Sequence, residues 1–271
     1  MLENIKYYTS VALYYFKLSL QKQFEYPAMI ISCVFMIPMM YGTGILLLYF
    51  MVHNFQPLGG WSFPQLAFLF GIGYLSHGLM MVFSVQNWWI ESYVLRGEFD
   101  RMLLRPISVF FQFTVTYINF IGLVDVMVGL TIFLYSCKLI NFVWSLHNII
   151  TIALVIIGGV LIRSSIFTIF CSVAFWTKRS ESLFLLLNDM MERTTQYPMT
   201  IYPYFVQFIL TFIVPIAFIS FYPACEILGK DGRIVFPLGI SVYTPIIGIV
   251  MFILAIMFFN LGLKKYESAG S

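Results

Sequence analysis

Six long apolar runs dominate this sequence of 271 residues. A helix that crosses a lipid bilayer needs about 20 consecutive, mostly apolar residues. Six segments meet this requirement: Pro27–Val52, Ser62–Val85, Ile107–Tyr135, Leu146–Trp176, Tyr202–Tyr222 and Leu238–Leu263. The connections between them are too short to hold a separate soluble domain. The sequence therefore predicts an all-α integral membrane fold with six transmembrane helices in one domain, residues 1–271.

The overall composition excludes a soluble protein. Hydrophobic residues make up 61% of the chain and charged residues only 10%, whereas soluble domains carry about 25% charged residues. No run of Lys and Arg with interleaved aromatic residues occurs, which argues against a nucleic-acid-binding surface. The surface of the spans is therefore expected to contact membrane lipid.

The distribution of Lys and Arg predicts the orientation of the chain. Eleven of the 15 lie in the N-terminal segment, in the loops after the second and fourth spans, and in the C-terminal tail. Lys138, Lys230 and Arg233 lie on the other side, and Arg163 lies inside the fourth span. Because basic loops are retained in the cytoplasm, we expect a multi-pass protein of the cell membrane with both termini cytoplasmic.

Residues 1–26 have the pattern of an amphipathic helix rather than of a span. Polar residues, Lys6, Ser10, Lys17 and Gln21 among them, cluster on one face of this helix. The other face is apolar at helical spacing: Tyr8, Val11, Ala12, Tyr15 and Leu18. Such a helix can lie in the membrane interface or pack on the protein itself. The pattern favours the interface.

Two short stretches contain 12 of the 27 charged residues. One follows the second span: Glu91, Arg96, Glu98, Asp100, Arg101 and Arg105. The other follows the fourth span: Lys178, Arg179, Glu181, Asp189, Glu192 and Arg193. A lipid-binding patch would carry charges of one sign, but each stretch balances three positive charges against three negative ones. Each is therefore interpreted as a protein-docking surface or as a solvated loop, and the residues alone do not decide between the two.

Asp125 and Arg163 are the clear ionisable residues within the predicted spans. A charge at the centre of a bilayer costs about 2.5–3.5 kcal/mol on insertion scales, so neither side chain should face lipid. The two residues lie on consecutive spans, which predicts an intramembrane polar pair. This pair would either contribute to a substrate path or stabilise the bundle.

The sequence lacks the residues of an enzyme site. It has no GxxxxGK[ST], HExxH or GxSxG motif, so no catalytic, cofactor-binding or metal-binding residues are assigned. The four cysteines form no CxxC pair and no cluster with histidine, which argues against a zinc site. Cys137 and Cys225 both lie near the predicted outer surface. The sequence is compatible there with a disulfide between them and with two free thiols.

The loop after the second span contains a motif, Leu95-Arg96-Gly97-Glu98-Phe99-Asp100-Arg101-Met102-Leu103-Leu104-Arg105-Pro106. It resembles the GxxDxxLLRP signature of type-two ATP-binding-cassette permeases of the six-span exporter class. A second, weaker stretch agrees with this resemblance: Gln196-Tyr197-Pro198, Ile213 to Phe218, and Phe221-Tyr222-Pro223-Ala224.

The resemblance implies a permease that exports its substrate together with separate ATPase subunits. The loop with the motif would be the coupling helix, with Gly97 at a sharp turn and Pro106 in the first turn of the third span. Two ATPase copies would bind ATP and magnesium, and a sister permease rather than an identical copy would complete the transporter. Short re-entrant segments are expected before the last span. A non-transport membrane enzyme or a membrane scaffold is the alternative.

The near absence of charge in the spans favours a hydrophobic or amphipathic substrate. A path for a small charged solute would need compensating charges near the middle of the membrane. The spans carry aromatic side chains instead, although the same residues suit a lipid-facing surface.

Overall fold

A computed structural model describes residues 2–54, 58–230 and 240–268, among which no β-strand occurs. The helices are α1 (Leu2–Phe24), α2 (Pro27–Asn54), α3 (Phe63–Ser84), α4 (Ile90–Leu95), α5 (Glu98–Leu103), α6 (Val109–Val115), α7 (Gly122–Leu139), α8 (Leu146–Cys171), α9 (Ala174–Thr177), α10 (Glu181–Gln196), α11 (Tyr204–Phe208), α12 (Phe221–Ile227) and α13 (Ile240–Leu263). The all-α prediction is confirmed.

Five helices, α2, α3, α7, α8 and α13, are long and apolar enough to cross a membrane. The core forms where α3 packs on α7 and where α8 packs on α13. Glycines allow the close approach of these backbones: a Cβ on Gly78 would lie 2.6 Å from the backbone nitrogen of Val126, and one on Gly158 would lie 2.7 Å from that of Pro245. Small residues play this part in membrane bundles generally, because lipid itself gives no hydrophobic drive for helix association.

The polar helix α10 and the short segment after it, up to Ile201, run alongside α3 from one end of the bundle to the other. Near its start, the ring of Phe184 lies 4.8 Å from that of Trp88, just beyond the C-terminal end of α3. Beyond its last turn, Thr200 lies against Gly59, just before the N-terminal end of α3. We call the end that holds α4, α5 and the start of α10 the charged end, and the other the opposite end. Residues 181–201 thus run between the same two ends as the five apolar helices, with the last turn of α10 beside Gly73 in the middle of α3.

The segment between α10 and α13 enters the bundle and turns back. Tyr204–Ile213 and Ile216–Ile227 form a bent pair with an angle of 79° between them. At its deepest point the hydroxyl of Ser220 donates a 3.2 Å hydrogen bond to the carbonyl of Thr195 in the last turn of α10. After α12, Lys230 donates a 2.6 Å hydrogen bond to a carbonyl of the loop that precedes α3. Both ends of the bent pair therefore lie at the opposite end of the bundle.

This arrangement differs from the predicted fifth span at 202–222. Proline has no N–H to continue a helix, and the helical path breaks at Val214-Pro215. Residues 181–201 run between the two ends at this place in the bundle, and the charges of α10 concealed them from a hydropathy search. The re-entrant form agrees with the family resemblance; residues 231–239, which follow this segment, lie outside the described residues.

The predicted third span at 107–135 is also interrupted. Residues 116–121, which we call the break, separate α6 from α7. Asn119 stabilises the break, since its side-chain oxygen accepts a 3.2 Å hydrogen bond from the N–H of Ile121 in an Asx turn. Pro106 lies before α6 and not in the first turn of a span, because Ser108 caps that helix.

Side chains of α1 bind the backbone of the break. Gln23 donates a 2.6 Å hydrogen bond to the carbonyl of Ile118 and accepts a 2.8 Å hydrogen bond from the N–H of Phe120. The hydroxyl of Ser19 accepts from the N–H of Ile118 at 3.1 Å. Backbone groups without helical partners inside a membrane protein need such partners, and α1 supplies them.

One face of α1 therefore packs on the protein. In addition to these hydrogen bonds, the ring of Tyr8 lies 4.8 Å from that of Phe111 on α6. Away from this contact, Leu13, Tyr14 and Phe24 each remain 63% exposed. The helix thus packs on protein along one face and keeps exposed apolar side chains that suit the membrane interface.

Candidate functional site

The motif after the second span folds into two short helices joined by a tight turn. Helix α4 ends at Leu95, and α5 begins at Glu98. Between them Gly97 has a φ of 65°, in the left-handed region that favours glycine. A Cβ here would also lie 3.3 Å from a carboxylate oxygen of Asp100. The expected role of Gly97 in a sharp turn is therefore confirmed.

The helix α5 is anchored by the buried ring of Phe99. This side chain is fully buried in a cluster of aromatic rings whose centroids lie 5.1–5.9 Å from its own: Phe113, Phe175, Phe259, Tyr93 and Tyr266. Burial raises the pKa of Tyr266 to about 12, so its hydroxyl stays protonated at neutral pH. The cluster joins α5 to α6, α9, α13 and the C-terminal tail, which holds α5 in one position at the charged end.

The acidic residues of the first charged stretch contact other parts of the chain. A carboxylate oxygen of Glu91 accepts hydrogen bonds from the N–H groups of Ser180 and Glu181, the latter at 2.6 Å, and so caps the start of α10. Asp100 accepts a 2.6 Å hydrogen bond from the hydroxyl of Ser268 in the tail. Glu98 lines a small cavity that α5 shares with α1. Residue spacing alone did not reveal these contacts, because their partners lie far away in the sequence.

The arginines and leucines of the motif face outward. Arg96, Arg101 and Arg105 are exposed, and Arg105 donates a 2.7 Å hydrogen bond to the hydroxyl of Tyr15 on α1. Of the apolar side chains, Leu104 is 86% exposed. We call the exposed group the docking surface: Leu95, Arg96, Arg101, Leu103 and Leu104. It is basic and apolar, whereas Glu91, Glu98 and Asp100 are only partly exposed.

The residues of the second charged stretch lie partly at the charged end and partly further along the bundle. Lys178 lies at the charged end, where it forms a 3.9 Å ion pair with Glu267 of the tail. Asp189 and Arg193 lie within α10 and form a 2.8 Å ion pair on its exposed face. Glu192 is partly buried and borders a cavity beside α2. Most of the stretch is therefore helical, which contradicts its interpretation as a solvated loop.

Asp125 lies in the first turn of α7, where the helix dipole favours a negative charge. It accepts a hydrogen bond from the hydroxyl of Tyr41 on α2. The Tyr41 ring packs on that of Tyr74, with centroids 3.9 Å apart, and the hydroxyl of Tyr74 accepts a 2.8 Å hydrogen bond from Gln196 of α10. A polar chain thus crosses the bundle from α7 through α2 and α3 to α10.

Arg163 lies on the other side of this chain and is 2% exposed. Its guanidinium donates a 3.1 Å hydrogen bond to the hydroxyl of Thr195, the neighbour of Gln196 in α10. Asp125 and Arg163 therefore do not form the predicted direct pair, since each has its own partner. Both belong to one polar network instead. Tyr41, Tyr74, Thr195 and Gln196 connect them, and sequence reasoning missed these residues because single polar groups in apolar runs carry no pattern.

The other candidate sites are simpler. Within the described residues no disulfide joins the four cysteines, and Cys137 and Cys225 are both buried. In the part of the chain that the structure describes, no three His, Cys, Asp or Glu side chains come together in a group that could hold a metal ion.

Comparison with known proteins identifies the family. A family model described as ABC-2 family transporter protein matches residues 38–270. This match covers most of the chain, including α3 to α13 and the docking surface. Neither the curated proteins nor the solved structures that were compared gave a match.

Proposed function

Because the chain belongs to the ABC-2 family of transporter proteins, we propose that it is the permease subunit of an ATP-driven exporter whose ATPase is a separate subunit. The membrane-spanning helices would form the translocation path. ATP and magnesium would bind in the partner, since this sequence contains no P-loop. The exporter would lie in the cell membrane with both termini of this chain in the cytoplasm, in keeping with the ten basic residues other than Arg193 that the sequence places on that side.

The docking surface is the observation that carries this proposal. It presents two arginines and three leucines on short helices that Phe99 fixes to the bundle. Apolar anchors surrounded by charges are typical of protein interfaces. A fixed element is also what coupling requires, because a loose loop would absorb the motion of the ATPase. The outward charge is positive, so the matching groove of the ATPase should be acidic.

Charge reversal on the docking surface tests this assignment. Arg101→Glu should weaken association with the ATPase by at least about tenfold, because it places like charges at the interface. Co-purification of the two subunits and the ATPase rate of the complex measure the effect. Lys138→Glu, an exposed reversal in the last turn of α7 at the opposite end, is the matched control and should change neither. Equal association of Arg101→Glu and wild type would exclude the docking surface.

The exposed face of α10 supports the presence of a second permease. This face carries the Asp189–Arg193 ion pair between the two ends of the bundle, a position where lipid contact is costly. A second permease or the translocation path would cover it. Two permeases and two ATPases then form the transporter, with a sister permease proposed in preference to an identical copy.

The substrate is proposed to be hydrophobic or amphipathic. Apart from α10, the helices that run between the two ends carry few charged groups along their length, and Asp125 and Arg163 are held inside the bundle by hydrogen bonds. Stimulation of the ATPase rate by lipids or hydrophobic peptides, but not by small hydrophilic anions, is the expected result. Stimulation by hydrophilic anions alone would contradict this substrate class.

A further inference from the structure

A cavity of about 360 Å³ opens on the side of the bundle between α2, α3, α7 and α10. One stripe of α2 lines it at helical spacing, with Met29, Cys33, Ile37 and Tyr41 among its members. Met29 is 58% exposed at the start of this stripe, and Tyr41 is 1% exposed at its end. The cavity therefore runs from the membrane-facing surface near the charged end into the core.

The inner end of the cavity is polar and is lined by two acidic residues. Tyr41, His77, Asp125 and Glu192 line it. His77 is 7% exposed, and its Nδ1 atom has no hydrogen-bond partner. A buried polar atom without a partner is costly, and this one belongs to a residue that lines the cavity. The lining contains two carboxylates and no Lys or Arg.

Aromatic side chains surround the part of the cavity nearer the charged end. Trp88, Trp89 and Tyr117 line it, and the rings of Trp89 and Tyr117 lie 5.2 Å apart. Tyr117 belongs to the break, where an irregular backbone is tolerated because it lines a cavity. Aromatic faces attract cations, so they act in the same direction as the two carboxylates.

We propose that this cavity binds an amphiphile with a protonated amine headgroup, and that such molecules are substrates of the exporter. The ammonium would lie between Asp125 and Glu192 and donate a hydrogen bond to His77. Its hydrocarbon chain would lie along the α2 stripe, where methionine adapts to irregular shapes. An anionic headgroup would meet two carboxylates and be repelled. That these amphiphiles are substrates rests on the proposed exporter function, whereas their binding rests on the cavity alone.

Three probes with the same dodecyl chain test the inference on the permease–ATPase complex in nanodiscs: dodecylamine, dodecyl sulfate and dodecyl maltoside. Binding is followed by tryptophan fluorescence and by protection of Cys33 from N-ethylmaleimide, since the other three cysteines are buried. Dodecylamine should bind at least about tenfold more tightly than the other two probes and protect Cys33.

Substitutions of residues that line the cavity test where the headgroup binds. Glu192→Gln should weaken dodecylamine binding by about tenfold and leave dodecyl maltoside unchanged. His77→Leu should act in the same direction, and it provides a second test if one variant fails to fold. Asp189→Asn, three residues earlier on the outer face of α10, is the matched control and should bind dodecylamine like wild type.

Equal binding of dodecyl sulfate and dodecylamine would overturn the proposal, and so would unchanged amine binding in both Glu192→Gln and His77→Leu. If these variants weaken amine binding, the result would support binding in the cavity even if the ATPase failed to associate with the permease. In that case the exporter function alone would be contradicted.

Discussion

The two charged stretches of the chain, residues 91–105 and 178–193, have the same balance of charge but lie in different parts of the molecule. The first stays at the charged end as two six-residue helices. The second begins there and continues into the bundle as the 16-residue helix α10. The comparison shows that the number of charges in a segment does not determine how deep the segment lies.

Continuity of the helix and the spacing of its buried residues explain the difference. In the first stretch Gly97 adopts a left-handed conformation and ends the helical path. The second stretch also has a left-handed residue, Lys178, but it lies before α10 and does not interrupt it. Within α10, Leu187, Met191 and Thr194 are buried at helical spacing on one face. That face packs on α3 and α8, which brings the charges of α10 into the membrane region with it.

The largest effect is expected from a test of sidedness. In a cysteine-free background, cysteines replacing Glu181 and Ile201 should react with a membrane-impermeant maleimide from opposite sides, because α10 separates them. Glu98→Cys should react on the same side as Glu181→Cys, and Asn54→Cys on the same side as Ile201→Cys. Reaction of Glu181→Cys and Ile201→Cys from the same side would place α10 on the surface and remove the contrast between the two stretches.

The next largest effect concerns the anchor of the first stretch. Phe99→Ala should destabilise the protein by about 3–5 kcal/mol, the usual cost of removing a fully buried phenylalanine side chain. Thermal unfolding of the purified chain in detergent would show it as a lowered midpoint. Leu104→Ala, which truncates an 86% exposed side chain five residues later, should leave the midpoint unchanged. A midpoint that Phe99→Ala does not lower would mean that the aromatic cluster does not hold α5.

A smaller effect is expected where the two stretches meet. Glu91 of the first stretch caps α10 of the second, and loss of a helix cap typically costs about 0.5–2 kcal/mol. Glu91→Ala should therefore lower the unfolding midpoint moderately and expose the start of α10 to proteolysis. Glu98→Ala removes a carboxylate seven residues later that caps no helix, so it should have less effect. Equal effects of the two variants would argue against the cap.

The smallest effect on the isolated chain is expected on the exposed face of α10. The Asp189 side chain is 59% exposed, and ion pairs of this kind contribute little to folding. Asp189→Asn should leave the unfolding midpoint unchanged but reduce the fraction of paired permeases seen by crosslinking. Unchanged pairing would show that this face meets the translocation path rather than the second permease.

Hydropathy and the motif predicted much of the fold. The five apolar helices, the turn at Gly97 and the helical form of α1 follow from local patterns, which sequence reasoning reads well. Helix α10 was missed because Asp189, Glu192 and Arg193 lower its hydropathy, although the spacing of its buried residues was visible. The break was missed for the opposite reason, since it lies in an apolar run and only Asn119 marked it.

The polar network shows what local patterns leave out. The sequence correctly marked Asp125 and Arg163 as residues that should avoid lipid, and both are buried. Their partners depend on how α2 and α10 pack, since Tyr41 and Thr195 become neighbours of these groups only in the folded bundle. Because the break displaces the start of α7, Asp125 lies at a helix end rather than at the middle of a long span.

The contacts of α1 give the chain a mechanical connection between its two proposed working parts. Tyr15 is bonded to Arg105 beside the docking surface, while Ser19 and Gln23 hold the break that borders the cavity. These three residues follow one another at intervals of four, so they lie along one face of a rigid helix. If an ATPase displaced α5, the displacement would therefore be transmitted along the rigid helix α1 to the break, which borders the cavity.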